Sequence, residues 1–308
     1  MTRKVAVLLA ILCLVGVLTL TMSCARQNQS AIIDQDSTAE KAEEIVSSND
    51  SLGDSEPEHS AINEDSGALE TNTLKTEQTK TQEQEQALAD VALADINVPI
   101  LMYHTSSEDN PGTLAELYIK PSEFAKQLAW LKEAGYTFCT FDDWPNLNRI
   151  NKPILLTFDD GYIENYTEIY PLLKQHQAKI TIFLIADKKT GLTPEMIKEM
   201  SASKLVKFES HTLSHPSLVA ISSDPNQLEA EIGESKATVE ALSGKTVVAL
   251  SYPNGEFNEQ VKAVTKQHYL FGVRKDLGMH NTQYDNYEIH RIRINRSTTL
   301  STYQALVQ

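Results

Sequence analysis

Apolar positions fall into three regimes along the 308-residue chain. Val5 to Met22 is a single apolar run. From Ala25 to Ile96 apolar residues are isolated among Ser, Thr, Glu, Gln and Asp. Beyond Asn97, short β-branched or aromatic blocks alternate with stretches of helical spacing. In this last regime the pattern predicts strands over Val98–His104, Tyr136–Phe141, Pro153–Phe158, Ile180–Ile185, Val206–Glu209, Val247–Tyr252, Leu270–Val273 and Ile289–Ile294. Helices are predicted between them. One runs from Glu123 to Ala134, capped by Ser122, with Phe124, Leu128 and Leu131 on one face and Gly135 as its stop. Others cover Tyr162–His176, a short stretch from the Thr193 cap and Pro194 to about Ser201, Asn226–Leu242, and Asn258–His268. Strands alternating with helices argue for a parallel sheet, and the number of units argues for a closed or nearly closed (β/α) barrel.

Charge and composition separate the regimes into domains. Residues 25–96 carry 17 acidic against 4 basic side chains and no aromatic residue, so this segment cannot bury a core and reads as a disordered acidic tether. As a flexible coil it would reach roughly 45–50 Å. Of the chain's net charge of −15, the tether holds −13, so residues 97–308 are only mildly acidic. They contain all 21 aromatics and are long enough for one well-packed domain. No basic cluster of the kind that neutralises phosphates is present, which argues against nucleic acid.

Residues 1–24 read as an export signal, with Arg3 and Lys4 before the apolar run and Ser23-Cys24 after it. Cys24 is the expected lipidation point, although Thr21 stands where an aliphatic residue is usual; unprocessed, the run is just long enough to remain as a membrane anchor. Either outcome places the remainder outside the membrane. Cys139 is then the one cysteine of the folded part, which allows no internal disulfide there, and its strand context predicts a buried thiol.

Two stretches carry candidate chemistry. Thr157-Phe-Asp-Asp-Gly161 sits where a predicted strand ends and a helix begins, the place where α/β folds put their reactive groups. Along an extended chain Asp159 and Asp160 diverge, so one can hold a cation while the other is free for proton transfer; the plainer reading is a turn with an Asp cap. His211-Thr-Leu-Ser-His215 follows another strand and can present two imidazoles to one cation. Two imidazoles with a strand-end carboxylate at Asp160 make a known divalent-metal donor set.

Together these motifs resemble the polysaccharide deacetylases, carbohydrate esterase family 4 or the NodB homology domain, over Asn97–Gln308. The resemblance implies a distorted (β/α) barrel of the NodB type, with Asp159 as catalytic base and Asp160, His211 and His215 as ligands of a divalent metal. Zinc is the first expectation, with Co2+, Ni2+ or Mn2+ as alternatives. The third family motif departs from the usual pattern. Ser251-Tyr-Pro-Asn-Gly255 lacks its arginines and is similar to the membrane-associated poly-N-acetylglucosamine deacetylases, as is Pro99-Ile-Leu-Met-Tyr-His104. In that subgroup the motif order is permuted, which implies His104 as the acid, with His290 as competitor. It also implies Tyr252, through its N–H, as oxyanion donor in the Pro253 turn. Arg291 is expected to orient Asp159 in place of the missing arginine. Tyr103 and Trp144 are candidates for a sugar groove, with core packing as the alternative. His268 and His280 are expected in loops or at the surface.

The expected protein is therefore an extracytoplasmic, membrane-anchored, monomeric lipoprotein. It would remove N-acetyl groups from an N-acetylglucosamine polymer, with poly-β-1,6-N-acetylglucosamine favoured. The alternatives are a peptidoglycan deacetylase, an O-acetyl polysaccharide esterase, and a catalytically inactive sugar-binding lipoprotein.

Overall fold

The computed structural model describes residues 95–187, 190–275 and 278–308. The export signal with Cys24, and the tether up to residue 94, lie outside the described residues. Among those described, no helix is long and apolar enough to cross a membrane.

In chain order the elements open with strands β1 (Asn97–Val98), β2 (Ile100–Tyr103), β3 (Thr105–Ser106) and β4 (Tyr118–Ile119), followed by helix α1 (Pro121–Glu133) and β5 (Thr137–Cys139). A 3-10 segment, Phe141–Arg149, leads to β6 (Pro153–Asp160). A π-turn, Asn165–Ile169, runs into α2 (Tyr170–His176), then β7 (Ile180–Leu184), α3 (Pro194–Ala202) and β8 (Val206–Ser210). Short helices α4 (Leu218–Ile221) and α5 (Pro225–Glu229) precede a second π-turn, Ala230–Glu234, and α6 (Ser235–Ser243). Strand β9 (Ala249–Ser251), α7 (Glu259–His268), β10 (Phe271–Val273), β11 (His280–Asn281), β12 (Ile292–Arg293) and α8 (Leu300–Val307) complete the chain.

The main sheet is parallel, in the order β10-β9-β8-β7-β6-β2-β12, with β5 pairing the first half of β6. The stretch before and within β12 closes it into a distorted barrel. Ile289 bridges Val273 of β10, while Ile292 and Arg293 pair with Leu101 and Met102 of β2. Central β6 is buried along all eight residues, as a strand covered on both faces must be. Its alternation sorts two cores. Ile154, Leu156 and Phe158 face the helices, whereas Leu155 joins Cys139, Phe141, Trp144, Phe183 and Phe271 inside the barrel.

Several boundaries differ from the sequence reading. Helix α1 starts at Pro121 after Lys120, and Ser122 binds Glu108 rather than capping. The predicted helix over Asn226–Leu242 is interrupted by a π-turn and begins at Pro225, capped by Asp224. The helix expected from Tyr162 opens as a π-turn at Asn165. Trp144 is a core residue, stacked on Phe141 at 5.7 Å between ring centroids. His280 is fully buried, against the expectation of a loop or surface position. Cys139 is buried as expected, and burial pushes its thiol up to about 12.

Candidate active site

Parity along β6 aims the two aspartates apart. Asp159 continues the inward row Leu155-Thr157-Asp159. Asp160 takes a left-handed backbone (φ 75°) that lifts it toward the strand ends. Gly161, also at positive φ, makes the turn; a Cβ there would press on the end of the Leu184 side chain, and the backbone conformation itself favours glycine.

Inside the barrel mouth Arg291 donates both terminal nitrogens to Asp159, Nη1 to Oδ1 at 2.7 Å and Nη2 to Oδ2 at 2.8 Å. Its other donors reach Thr157 Oγ1 (3.1 Å), Ser251 Oγ (3.1 Å) and, through Nε, the Arg274 carbonyl (3.0 Å). All five guanidinium N–H groups are thus used, as a buried arginine demands. Burial raises the Asp159 carboxyl, but Arg291, with smaller help from His211 and His104, overrides it and holds the group well below the usual carboxylate range.

Asp160, His211 and His215 converge on one point. Asp160 Oδ1 lies 3.7 Å from His211 Nε2 and 3.9 Å from His215 Nε2, and the three ligand atoms all fall within 4.8 Å of one another. The imidazole rings stand edge to face at 4.6 Å. His211 Nδ1 sits 2.8 Å from the Ser251 carbonyl, which can only accept; Nδ1 therefore carries the proton and Nε2 offers its lone pair. Three lone-pair donors gathered at non-bonding separations, one with its tautomer set from behind, fit a divalent cation.

His104 follows β2 at the same end of the barrel. Asp159, Asp160, Arg291 and His211 all act on it electrostatically, and burial lowers its pKa below the ordinary histidine value. Its carbonyl accepts from Asn165 Nδ2 at 3.1 Å, so the π-turn after β6 fixes the backbone at this histidine. His290 lies elsewhere, 5.0 Å from the Tyr284 ring and 5.9 Å from His280, under the charges of Arg274 and Glu288.

Two expectations are corrected. The Tyr252 N–H donates to the Val273 carbonyl at 2.9 Å and is not free for an oxyanion. The Tyr252 ring and the neighbouring Pro253 are buried, with the phenol bonded to the Tyr287 carbonyl. Tyr103 is 1% exposed; it donates to Gln127 Oε1 and stacks on Phe158 at 4.9 Å, so it belongs to the core and lines no groove. Sequence reasoning passed over Ser251 and Thr157, which lock His211 and Arg291. Thr157 opens the first stretch it singled out and Ser251 opens the third family motif, so the signal was proximity rather than residue type.

Residues 146–272 match the polysaccharide deacetylase family. A Bacillus subtilis protein described as a polysaccharide deacetylase, YxkH, is 34% identical over 220 residues, spanning 68% of this chain and 76% of that protein. The poly-beta-1,6-N-acetyl-D-glucosamine N-deacetylase of Staphylococcus epidermidis is 26% identical, over 57% and 68% of the two chains. The peptidoglycan-N-acetylmuramic acid deacetylase PdaA of Bacillus subtilis is 31% identical, over 48% and 53%. A Bacillus anthracis crystal structure described as a polysaccharide deacetylase superposes with a TM-score of 0.65 at 31% identity, covering 70% of each chain.

Proposed function

Because this chain belongs to the polysaccharide deacetylase family, we propose that it hydrolyses N-acetyl groups on an extracellular N-acetylglucosamine polymer, with poly-β-1,6-N-acetylglucosamine as the substrate class. The observation that carries this reading is the division of labour in one Asp-Asp pair. Asp159 is clamped to Arg291, while Asp160 shares a focus with two histidines. The likeness to the Staphylococcus epidermidis enzyme over 57% of the chain, and the Pro99–His104 strand, support the substrate class.

Asp160, His211 and His215 would hold a divalent cation, zinc foremost, which when bound supplies a Lewis acid for the acyl oxygen and makes water a better nucleophile. Asp159, kept ionised by Arg291, takes the proton of the attacking water as the oxygen adds to the acetyl carbon. His104 passes a proton to the departing amine. The proton His104 gives up is replaced, through solvent, by the one Asp159 takes from water, so that both groups return to their starting state at the end of the cycle. The export signal and the acidic tether support an extracytoplasmic, membrane-anchored setting, with Cys24 as the lipid attachment point.

The test is acetate release by the zinc-loaded protein from poly-β-1,6-N-acetylglucosamine oligomers and, in parallel, from peptidoglycan glycan strands. Chelator-sensitive release from the first alone is expected. Release from peptidoglycan alone would replace the substrate, and silence on both with metal bound would overturn the N-deacetylase reading.

A further inference from the structure

The loop bearing both histidines is strained. Thr212 (φ 67°) and His215 (φ 66°) are left-handed, non-glycine residues three positions apart, each at a cost on the order of 1 kcal/mol. Such backbone persists only where its surroundings over-determine it. From the barrel side, Ala186 and Asp187 N–H groups donate to the Thr212 and Leu213 carbonyls. Within the loop, Thr212 Oγ1 accepts from the His215 N–H at 3.0 Å. On the outer side Glu231, a residue of another element, makes three contacts to the loop. Glu231 Oε2 accepts from the Ser214 N–H at 2.9 Å, its Oε1 accepts from Ser214 Oγ at 2.6 Å, and its carbonyl accepts from the Leu213 N–H at 3.1 Å.

Glu231 is 7% exposed and sits in the π-turn Ala230–Glu234. The inserted residue of a π-turn frees a backbone carbonyl from the regular ladder, and such turns gather at functional sites. Here it lets the carbonyl and carboxylate of one residue grip two consecutive loop residues directly before His215.

We propose that Glu231 is the positioning residue of the His211–His215 loop, clamping Leu213 and Ser214 so that His215 is aimed at the same point as Asp160 and His211, and thereby setting the site's affinity for its divalent cation. This rests on the metal-site reading above. Glu231 touches no ligand atom; it acts by removing the loop's freedom to relax out of its left-handed turns. A supporting shell of this kind is typically worth about 10–100-fold in metal affinity.

The test is titration of the metal-free, full-length protein with Co2+, followed by visible absorption, with the thermal midpoint of each metal-free variant measured alongside. Glu231→Ala is expected to weaken Co2+ binding about 10–100-fold and to alter the band shape. Glu231→Gln keeps an acceptor for the Ser214 N–H and is expected to recover most of that loss. Ser214→Ala removes only the hydroxyl contact at an exposed residue; it keeps the test open should Glu231→Ala fail to fold, and is expected to weaken binding several-fold. Wild-type affinity and spectrum in Glu231→Ala or, where that variant does not fold, in Ser214→Ala would overturn the clamp. A lowered midpoint with unchanged affinity would do the same, reducing Glu231 to a structural role. Absence of saturable Co2+ binding by the wild type, with no difference from His211→Ala, would instead remove the metal site itself and the clamp with it.

Discussion

At the scale of single residues, the site turns on how one arginine is used. A lysine at 291 keeps the charge but cannot span both Asp159 oxygens while also reaching Thr157, Ser251 and the Arg274 carbonyl. Arg291→Lys is expected to lower kcat/KM by roughly 10–100-fold with zinc content unchanged, since each lost charge-assisted bond is worth about 1.5–3 kcal/mol. It should also move the acid limb of the pH profile upward. Asp159 must be ionised to accept a proton, and Arg291 is what opposes the raising effect of burial. An unmoved acid limb would mean another group sets it. The two candidate acids part on geometry, because charges of the site act on His104 and not on His290. His104→Ala should therefore cost about 10²–10⁴ in kcat, and His290→Ala under about threefold. The reverse ranking in single-turnover assays would move the acid to His290. Strand-end position and spacing singled out Asp159, Asp160, His211 and His215 as candidates, and the family resemblance implied their roles; the structure gathers Asp160, His211 and His215 at one point. The Tyr252 N–H was misjudged for a reason no local pattern discloses. Whether a strand-end amide is free depends on the neighbouring strand, and β10 supplies Val273 directly opposite.

Among the elements, the helices explain both what the sequence revealed and what it hid. Caps are local, so Thr193 before α3 could be read directly, and its side chain accepts from the first turn it precedes; Asn258, read as the first residue of its helix, is in fact the cap of α7, accepting from the Val261 N–H. The π-turns are not local, for their extra residue is stabilised by partners outside the helix, Leu213 and Ser214 in one case and His104 in the other. Asp224 offers a way to separate helix stability from site geometry. Its Oδ1 accepts from the Asn226 and Gln227 N–H groups, at the start of the helical run that carries Glu231 seven residues on. Asp224→Ala should lower stability by about 1 kcal/mol, seen as a fall of roughly 2–4 °C in the thermal midpoint. Co2+ affinity should stay unchanged, because the Glu231 contacts lie two turns beyond the cap. A matching loss of metal affinity would show the run to be less rigid than its packing implies.

Across the whole molecule, barrel closure depends on pairings that span most of the domain, and these were the least legible part of the sequence. The last strand was expected over Ile289–Ile294, and Arg291 was expected beside Asp159 from the family resemblance, where both of its terminal nitrogens bond the carboxylate; nothing local said that the strand would join β10 to β2. The same holds for β11, a two-residue strand that pairs with β1 and carries His280 into the core beneath Trp144. His280 Nδ1 accepts from the His290 N–H, which leaves the proton on Nε2, a buried atom without a partner among the described residues. Among the described residues, the rings facing His280 are those of Trp144, Tyr284 and His290, none of them anionic. Burial first, and His290 second, push its pKa down to about 4. The native state therefore refuses a proton that the unfolded chain accepts near pH 6.5, so between about pH 6.5 and 4 the unfolded state binds more protons. Stability from this group is fully present above pH 6.5 and is lost as the pH falls toward 4, by on the order of 2–3 kcal/mol. Carboxylates titrating over the same range affect wild type and variant alike, so the informative quantity is the difference from His280→Phe, which fills similar space without a titrating nitrogen. Urea midpoints measured from pH 7 to 4.5 should fall more steeply for the wild type. Parallel curves would mean that the ring gains solvent or a counter-charge on acidification, and that the seam between β1 and β11 opens before the core does.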